Sequence, residues 1–229
     1  MGKDLKKELD GLQQICQAAM RGDVSILSDF LLRFHQFPLF GVGSGGSYSV
    51  AAVFKYLCGK AGWTAQCITP LELSQLSFQI QTGAAVLFTA GGSNHDSKNA
   101  YRFITELEPE GVLTCCMREN APIKKLQKQN LHNFYFEYKM PVSKDGYLAV
   151  ESLTSATILL IRAFGKAMNN PFFSLSEHEL LQRPRFSEEL MISVLKRDSL
   201  IILHGGITTP AAIDLESKFS EASLGNTQT

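Results

Sequence analysis

The sequence predicts an α/β protein, a doubly wound five-stranded parallel sheet flanked by helices in three layers, with the start of a second α/β unit behind it. Three observations carry this. Short apolar runs alternate with helical patterns five times between Pro38 and Tyr138, the alternation that βαβ units produce. The run Ala84 to Thr89 is almost continuously apolar, as expected of a strand covered on both faces. Two of the strands end in Gly/Ser clusters that continue into helix-forming residues, at Leu39 to Ala52 (LFGVGSGGSYSVAA) and Ala84 to Ala100 (AAVLFTAGGSNHDSKNA). A strand, a tight turn and a helix N-terminus in that order can cradle an anion.

The elements follow in order. Lys3 to Ala19 places Leu5, Leu9, Leu12, Ile15, Cys16 and Ala19 at helical spacing. Asp23 can cap a second helix, Val24 to Gln36, with Ile26, Leu27, Phe30, Leu31 and Phe34 apolar. Both helices precede any strand and are expected to pack on a sheet or on a partner chain. Pro38 to Val42 reads as the first strand, followed by a helix from Ser47 to Gly59, with Gly62 as a stop signal. Thr64 to Ile68 is the second strand, and Pro70 opens a helical segment from Leu71 to Phe78. The third strand, Ala84 to Thr89, leads into a helix over Asp96 to Leu107 that Pro109 and Gly111 end. Val112 to Met117 is a fourth strand, Pro122 to Gln129 a helix, and Asn133 to Tyr138 a fifth strand.

Gly146 to Lys166 reads as a long apolar helix carrying Leu148, Leu153, Ile158, Leu159 and Ile161, buried on the sheet or between subunits. Asn169 to Pro184 is polar and contains proline, so it reads as a linker. A helix from Phe186 to Lys196, a strand from Ser199 to Leu203, a His204-Gly205-Gly206 turn and a helix from Thr208 or Pro210 to Leu224 close the chain. The organisation is thus a helical lead-in (1–24), an α/β domain (25–168), a linker (169–185) and the start of a second, incomplete unit (186–229). One strand cannot make a sheet. The last unit therefore either joins the edge of the first sheet or belongs to a longer chain, and the second is the expectation.

Composition narrows the function. Of 229 residues, 45% are hydrophobic and 19% charged, an ordinary globular balance. Lys plus Arg and Asp plus Glu are 22 each, so no basic face for nucleic acid is implied. Lys124, Lys125 and Lys128 read as a solvated helix face. No apolar run reaches transmembrane length, and MGKDLKKELD lacks the apolar core of a signal peptide. Cys16, Cys58, Cys67, Cys115 and Cys116 form no CxxC and mostly lie in apolar stretches, which implies reduced, buried thiols and a cytoplasmic location. The histidines are scattered, so neither a metal nor another cofactor is expected.

With the third strand-turn-helix at Ser199 to Leu215, the turns together resemble those of the sugar isomerase (SIS) domain, the phosphosugar-binding module of glucosamine-6-phosphate synthase and its relatives. Gly43-Ser44-Gly45-Gly46-Ser47-Tyr48 resembles the family's first turn. Thr89-Ala90-Gly91-Gly92-Ser93-Asn94-His95-Asp96 resembles the second, shaped Ser-x-Ser-Gly-x-Thr with an acid two places later. Thr89 stands at the first Ser, Gly92 at the Gly and Asp96 at the acid. Ala90-Gly91 replaces the usual polar pair and Asn94 the Thr. Leu203 to Glu221 resembles the start of a second SIS domain, and Lys218 and Glu221 have the Lys-x-x-Glu spacing in which the isomerising relatives carry their base. The resemblance spans residues 25 to 224 and implies a flavodoxin-like three-layer sheet, a sugar-phosphate ligand and a homodimer.

A phosphate monoester offers three acceptor oxygens, which hydroxyls, glycine-freed N–H groups and a helix N-terminus can satisfy without a cation. Ser44, Ser47, Thr89 and Ser93 are the candidate hydroxyls. Gly45, Gly46, Gly91 and Gly92 would bring the backbone close, with Asn94 completing the set. The same residues could instead be caps and tight turns alone. Tyr48 reads as packing, His95 as an exposed residue of the cap region, and Cys115 and Cys116 as core. Aldose–ketose isomerisation needs a general base. By the resemblance this is Glu221, which could equally be an exposed helix-end glutamate; Glu151 is a weaker candidate. Two functions stand, a phosphosugar isomerase or aminosugar-phosphate deaminase, and a sensor that binds without chemistry. A nucleotide site is disfavoured, since neither GxGxxG with its acid nor GxxxxGK[ST] is present.

Overall fold

The computed structural model describes residues 5–127, 132–141, 148–170, 173–176, 180, 187–222 and 226–228. Two helices, α1 (Leu5–Arg21) and α2 (Ser25–Phe34), precede the sheet. Then come β1 (Leu39–Val42), α3 (Gly46–Lys60), β2 (Ala65–Ile68), a 3-10 turn at Leu73–Leu76, α4 (Ser77–Gln81), β3 (Ala84–Thr89) and α5 (His95–Glu106). They are followed by β4 (Gly111–Cys116), a 3-10 turn at Pro122–Leu126, β5 (Asn133–Glu137) and α6 (Glu151–Met168). Beyond these lie α7 (Glu188–Leu195), β6 (Ser199–Ile201), α8 (Thr209–Glu221) and β7 (Asn226–Gln228).

The expected sheet is present. Five strands pair in the order β2-β1-β3-β4-β5, each pair parallel. Side chains alternate between faces with the period of two that strands impose. Along β3, Ala84, Val86 and Phe88 enter one core while Ala85 and Leu87 enter the other. The first core is closed by Leu27, Phe30, Leu31 and Phe34 of α2, Val50, Phe54 and Leu57 of α3, and Ile158, Leu159 and Phe164 of α6. The second is closed by Ala100, Tyr101 and Ile104 of α5 with Leu73, Ile80 and Ile123. Each fully buried Leu, Ile or Phe contributes about 2 kcal/mol.

The lead-in helices pack within the chain, α1 on α6 and α2 on α6 and β5. Arg162 of α6 donates to the carbonyls of Ala19 (2.7 Å) and Gly22 (2.5 Å), closing the C-terminal end of α1. Of the apolar residues of α6 expected to meet a sheet or a partner, Ile158 and Leu159 are buried inside the chain, while Leu153 and Ile161 are partly buried against the same core.

Several expectations are corrected. The segment Leu71 to Phe78 is not one helix but a 3-10 turn and the short α4, because Leu71 (86% exposed) and Phe78 (74%) find no core while Leu73 and Ile80 do. The helix expected from Pro122 is a 3-10 turn ending at Leu126, with only Ile123 buried. The long apolar helix begins at Glu151 rather than Gly146, which lies outside the described residues, as do most of 169–185 and Phe186. The last part of the chain is not limited to one strand: β6 pairs in parallel with β7 as a separate two-stranded sheet.

Candidate functional site

The chain leaves β1 for β2 on one side and returns to β3 on the other, so β1 and β3 are neighbours whose connections diverge. That is the switch point of a doubly wound sheet, where a crevice opens beyond the carboxyl ends. The register runs from Leu39 opposite Ala84 to Val42 opposite Leu87. The Gly43–Ser47 and Ala90–Asn94 turns therefore leave adjacent strands at the same edge.

In the first turn, the helix N-terminus folds back on Gly43. A Cβ there would lie 2.3 Å from the Ser47 carbonyl oxygen, so only glycine fits. Gly45 has φ +54°, with nothing within 4 Å of where its Cβ would be. Ser47 N–H donates to Ser44 O (3.2 Å) and Tyr48 N–H to Gly45 O (2.9 Å). No side chain caps α3, so the half-buried Ser44 and Ser47 hydroxyls are not committed to shaping the turn. Tyr48 is half-buried and accepts from the Cys67 thiol at 3.8 Å. Burial, then that thiol, pushes its phenol up to about 12.

The second turn is built differently. Thr89 is buried, and its Oγ1 accepts from Gly92 N–H at 3.2 Å. Asn94 caps α5, its Oδ1 accepting from Asp96 N–H at 3.0 Å. Gly92 has φ +61°, and a Cβ there would meet Ile123 at 2.7 Å and Ala121 at 2.8 Å. Gly92 O in turn accepts from Ile123 N–H at 3.0 Å. Thr89, Gly92 and Asn94 thus hold the turn's shape. Gly91 is half-buried, Ser93 is exposed, and His95 and Asp96 are exposed at the start of α5.

Sequence reasoning missed two residues here. Gly43 is the more constrained glycine of the first turn. Arg118, two residues past β4, lies against the second turn: a Cβ on Gly91 would be 3.9 Å from its Nε and Cζ and 3.6 Å from Ser93 Oγ. An arginine leaving a strand at the carboxyl edge was the available signal, but its place beside Gly91 depends on β3 and β4 being neighbours.

Glu221 and Glu151 belong to α8 and α6. Glu221 is exposed in the last turn of α8 and accepts from Ser217 Oγ at 3.1 Å, while Lys218 pairs with Asp214. Thr209 and Pro210 line a cavity of about 390 Å³ with Tyr56, Gly59 and Lys60 of α3. Asp214 shares a second cavity, of about 270 Å³, with Ser49. Helix α8 therefore packs along α3. Glu151 is buried against α1, its Oε1 2.9 Å from where a Gly11 Cβ would lie. Cys58 and Cys115 are buried thiols whose pKa burial pushes up. No helix among the described residues is long and apolar enough to cross a membrane.

No protein-family model and no curated protein matches the sequence. Solved structures do. The tagatose-6-phosphate ketose/aldose isomerase of Escherichia coli superposes with a TM-score of 0.70 over 99% of this chain and 68% of its own, at 14% identity. This is the SIS fold. The C-terminal domain of glucosamine-fructose-6-phosphate aminotransferase from Francisella tularensis shares it, with a TM-score of 0.68 over 97% of this chain and 68% of its own, at 14% identity. The Vibrio vulnificus NanR protein, complexed with ManNAc-6P, matches with a TM-score of 0.52 over 84% of this chain and 68% of its own, at 17% identity. The two turns singled out in the sequence thus stand at the switch point of a SIS-type sheet.

Proposed function

We propose that the protein binds a sugar phosphate over the paired turns after β1 and β3, as a phosphosugar isomerase or aminosugar-phosphate deaminase. The observation that carries this is the emergence of both glycine turns from adjacent parallel strands at the switch point, each opening a helix whose N-terminus favours an anion. The phosphate would sit against Ser44, Gly45, Gly46 and Ser47, with Thr89, Gly91, Gly92, Ser93 and Asn94 closing the other side. Structures of this fold include an isomerase of a hexose 6-phosphate and a protein complexed with ManNAc-6P.

In this reading Glu221 is the general base, moving a proton between adjacent carbons of the open-chain sugar. Residues 186–229 then act as the start of a second SIS-type unit that brings this base to the first. A cytoplasmic homodimer completes the reading, with the exposed Leu9, Ile26 and Leu32 on α1 and α2 as the candidate contact surface. Sensing without chemistry is the second reading. It is favoured by the solvent-exposed carboxylate of Glu221 and by Thr89 and Asn94 being engaged in the turn itself.

Fructose 6-phosphate should raise the melting temperature, stabilising by roughly 2–3 kcal/mol at a hundredfold excess over its dissociation constant. Absence of a shift with every member of a sugar-phosphate panel would refute the binding claim. An isomerase rate abolished by Glu221→Gln supports the enzyme, whereas binding with no turnover in the intact protein supports the sensor.

A further inference from the structure

Within the sugar-phosphate reading, which it deepens and on which it rests, we infer that Arg118 supplies a guanidinium contact to the ligand's phosphate at the second turn. The ligand is then an anionic sugar ester rather than a neutral sugar. The second turn needs such a group. Where the resemblance would place polar residues it has Ala90 and Gly91, and the side-chain oxygens of Thr89 and Asn94 already accept from Gly92 and Asp96 N–H. Of its side chains, only Ser93 is left uncommitted within the turn.

Arg118 stands where it could replace what is missing. The empty spot left by the absent Gly91 side chain is 3.6 Å from Ser93 Oγ and 3.9 Å from Arg118 Nε and Cζ, so a hydroxyl and a guanidinium flank the same space. The backbone beneath is pinned: Met117 N–H donates to Ala90 O at 3.2 Å, and Tyr135 OH donates to Arg118 O at 3.0 Å. Arg118 is half-buried, and its side chain makes no hydrogen bond or ion pair among the described residues. The adjacent acid, Glu119, pairs with Lys139 at 3.6 Å instead. A guanidinium without an acceptor gains most from an oxyanion that takes two of its donors.

The test titrates fructose 6-phosphate and, separately, inorganic phosphate into the intact protein at pH 8 by calorimetry, with Arg118→Gln and Arg118→Lys alongside. Melting curves establish that each variant is folded. Loss of Arg118 should weaken both ligands roughly 10- to 100-fold, with Arg118→Lys in between because it keeps the charge and loses the fork. Arg118→Lys also answers for Arg118→Gln should the latter fail to fold. Equal affinity in wild type and variants overturns the Arg118 contact and leaves the sugar-phosphate reading standing. Arg118-dependent binding of inorganic phosphate without binding of any sugar ester upholds the contact and overturns that reading. No binding of inorganic phosphate or of any member of the sugar-phosphate panel overturns both.

Discussion

The two turns at the switch point share a backbone plan and divide their side chains in opposite ways. The first leaves Ser44 and Ser47 out of its own construction and relies on backbone bonds and on Gly43, whose missing Cβ makes room for the start of α3. The second engages Thr89 and Asn94 to hold itself together, and borrows rigidity from the Ala121–Ile123 segment packed against Gly92. Like-looking Gly/Ser clusters are therefore not like sites. In one the polar side chains are available to a ligand. In the other most are structural, and the neighbouring cation, Arg118, lies just past the next strand.

The strongest way to break this comparison is to add a single methyl group. Gly43→Ala places a Cβ 2.3 Å from the Ser47 carbonyl oxygen, and Gly92→Ala forces φ +61° and a clash with Ile123. Each should cost about 3 kcal/mol, roughly a 10 °C fall in Tm for a chain of this size. Gly45→Ala meets no neighbour and bears only the strain of its positive φ, so it should cost about 1–2 kcal/mol. Equal losses at Gly43 and Gly45 would remove the distinction between packed and open glycines.

Hydroxyls should separate the turns next. Thr89→Val strands the buried Gly92 N–H and should lower stability by about 1–2 kcal/mol. Ser44→Ala and Ser47→Ala should leave stability within about 0.5 kcal/mol while weakening fructose 6-phosphate roughly tenfold each. Chemical denaturation and calorimetry read the two effects separately. A stability loss at Ser44 equal to that at Thr89 would mean the first turn is as self-engaged as the second.

The smallest expected effect is at Tyr48. Its folded phenol holds its proton to about 12, whereas an unfolded one ionises near about 10. The folded state binds the extra proton across that window, so stability falls as pH rises from 10 to 12. Tyr48→Phe should make the alkaline fall shallower without removing it, since buried Cys58 and Cys115 act in the same direction. An unchanged alkaline profile would place Tyr48 outside the buried edge of the first turn.

Much of this could be read from the chain. The strands were legible because a sheet covered on both faces leaves continuous apolar runs such as Ala84 to Phe88, and the turns because glycine clusters punctuate them. Leu71 to Phe78 misled because Leu71 and Phe78 are exposed by the course of the chain while Leu73 is buried, which spacing does not reveal. Strand β7 was invisible, since Asn226–Gln228 is polar and three residues long. Arg118 was invisible as a site residue because only the pairing of β3 with β4 brings it to Gly91. Thr89 and Asn94 were legible as turn residues, while the direction of their hydrogen bonds was not.

The central claim is that one phosphate sits between the two turns. A crystal structure with fructose 6-phosphate tests it most directly. The account expects phosphate oxygens within hydrogen-bond distance of Ser44 or Ser47 and of the Gly45–Gly46 backbone, with Ser93 on the opposite side. A phosphate found instead in the cavity between α3 and α8, or a sugar held with its phosphate turned away from both turns, would contradict it.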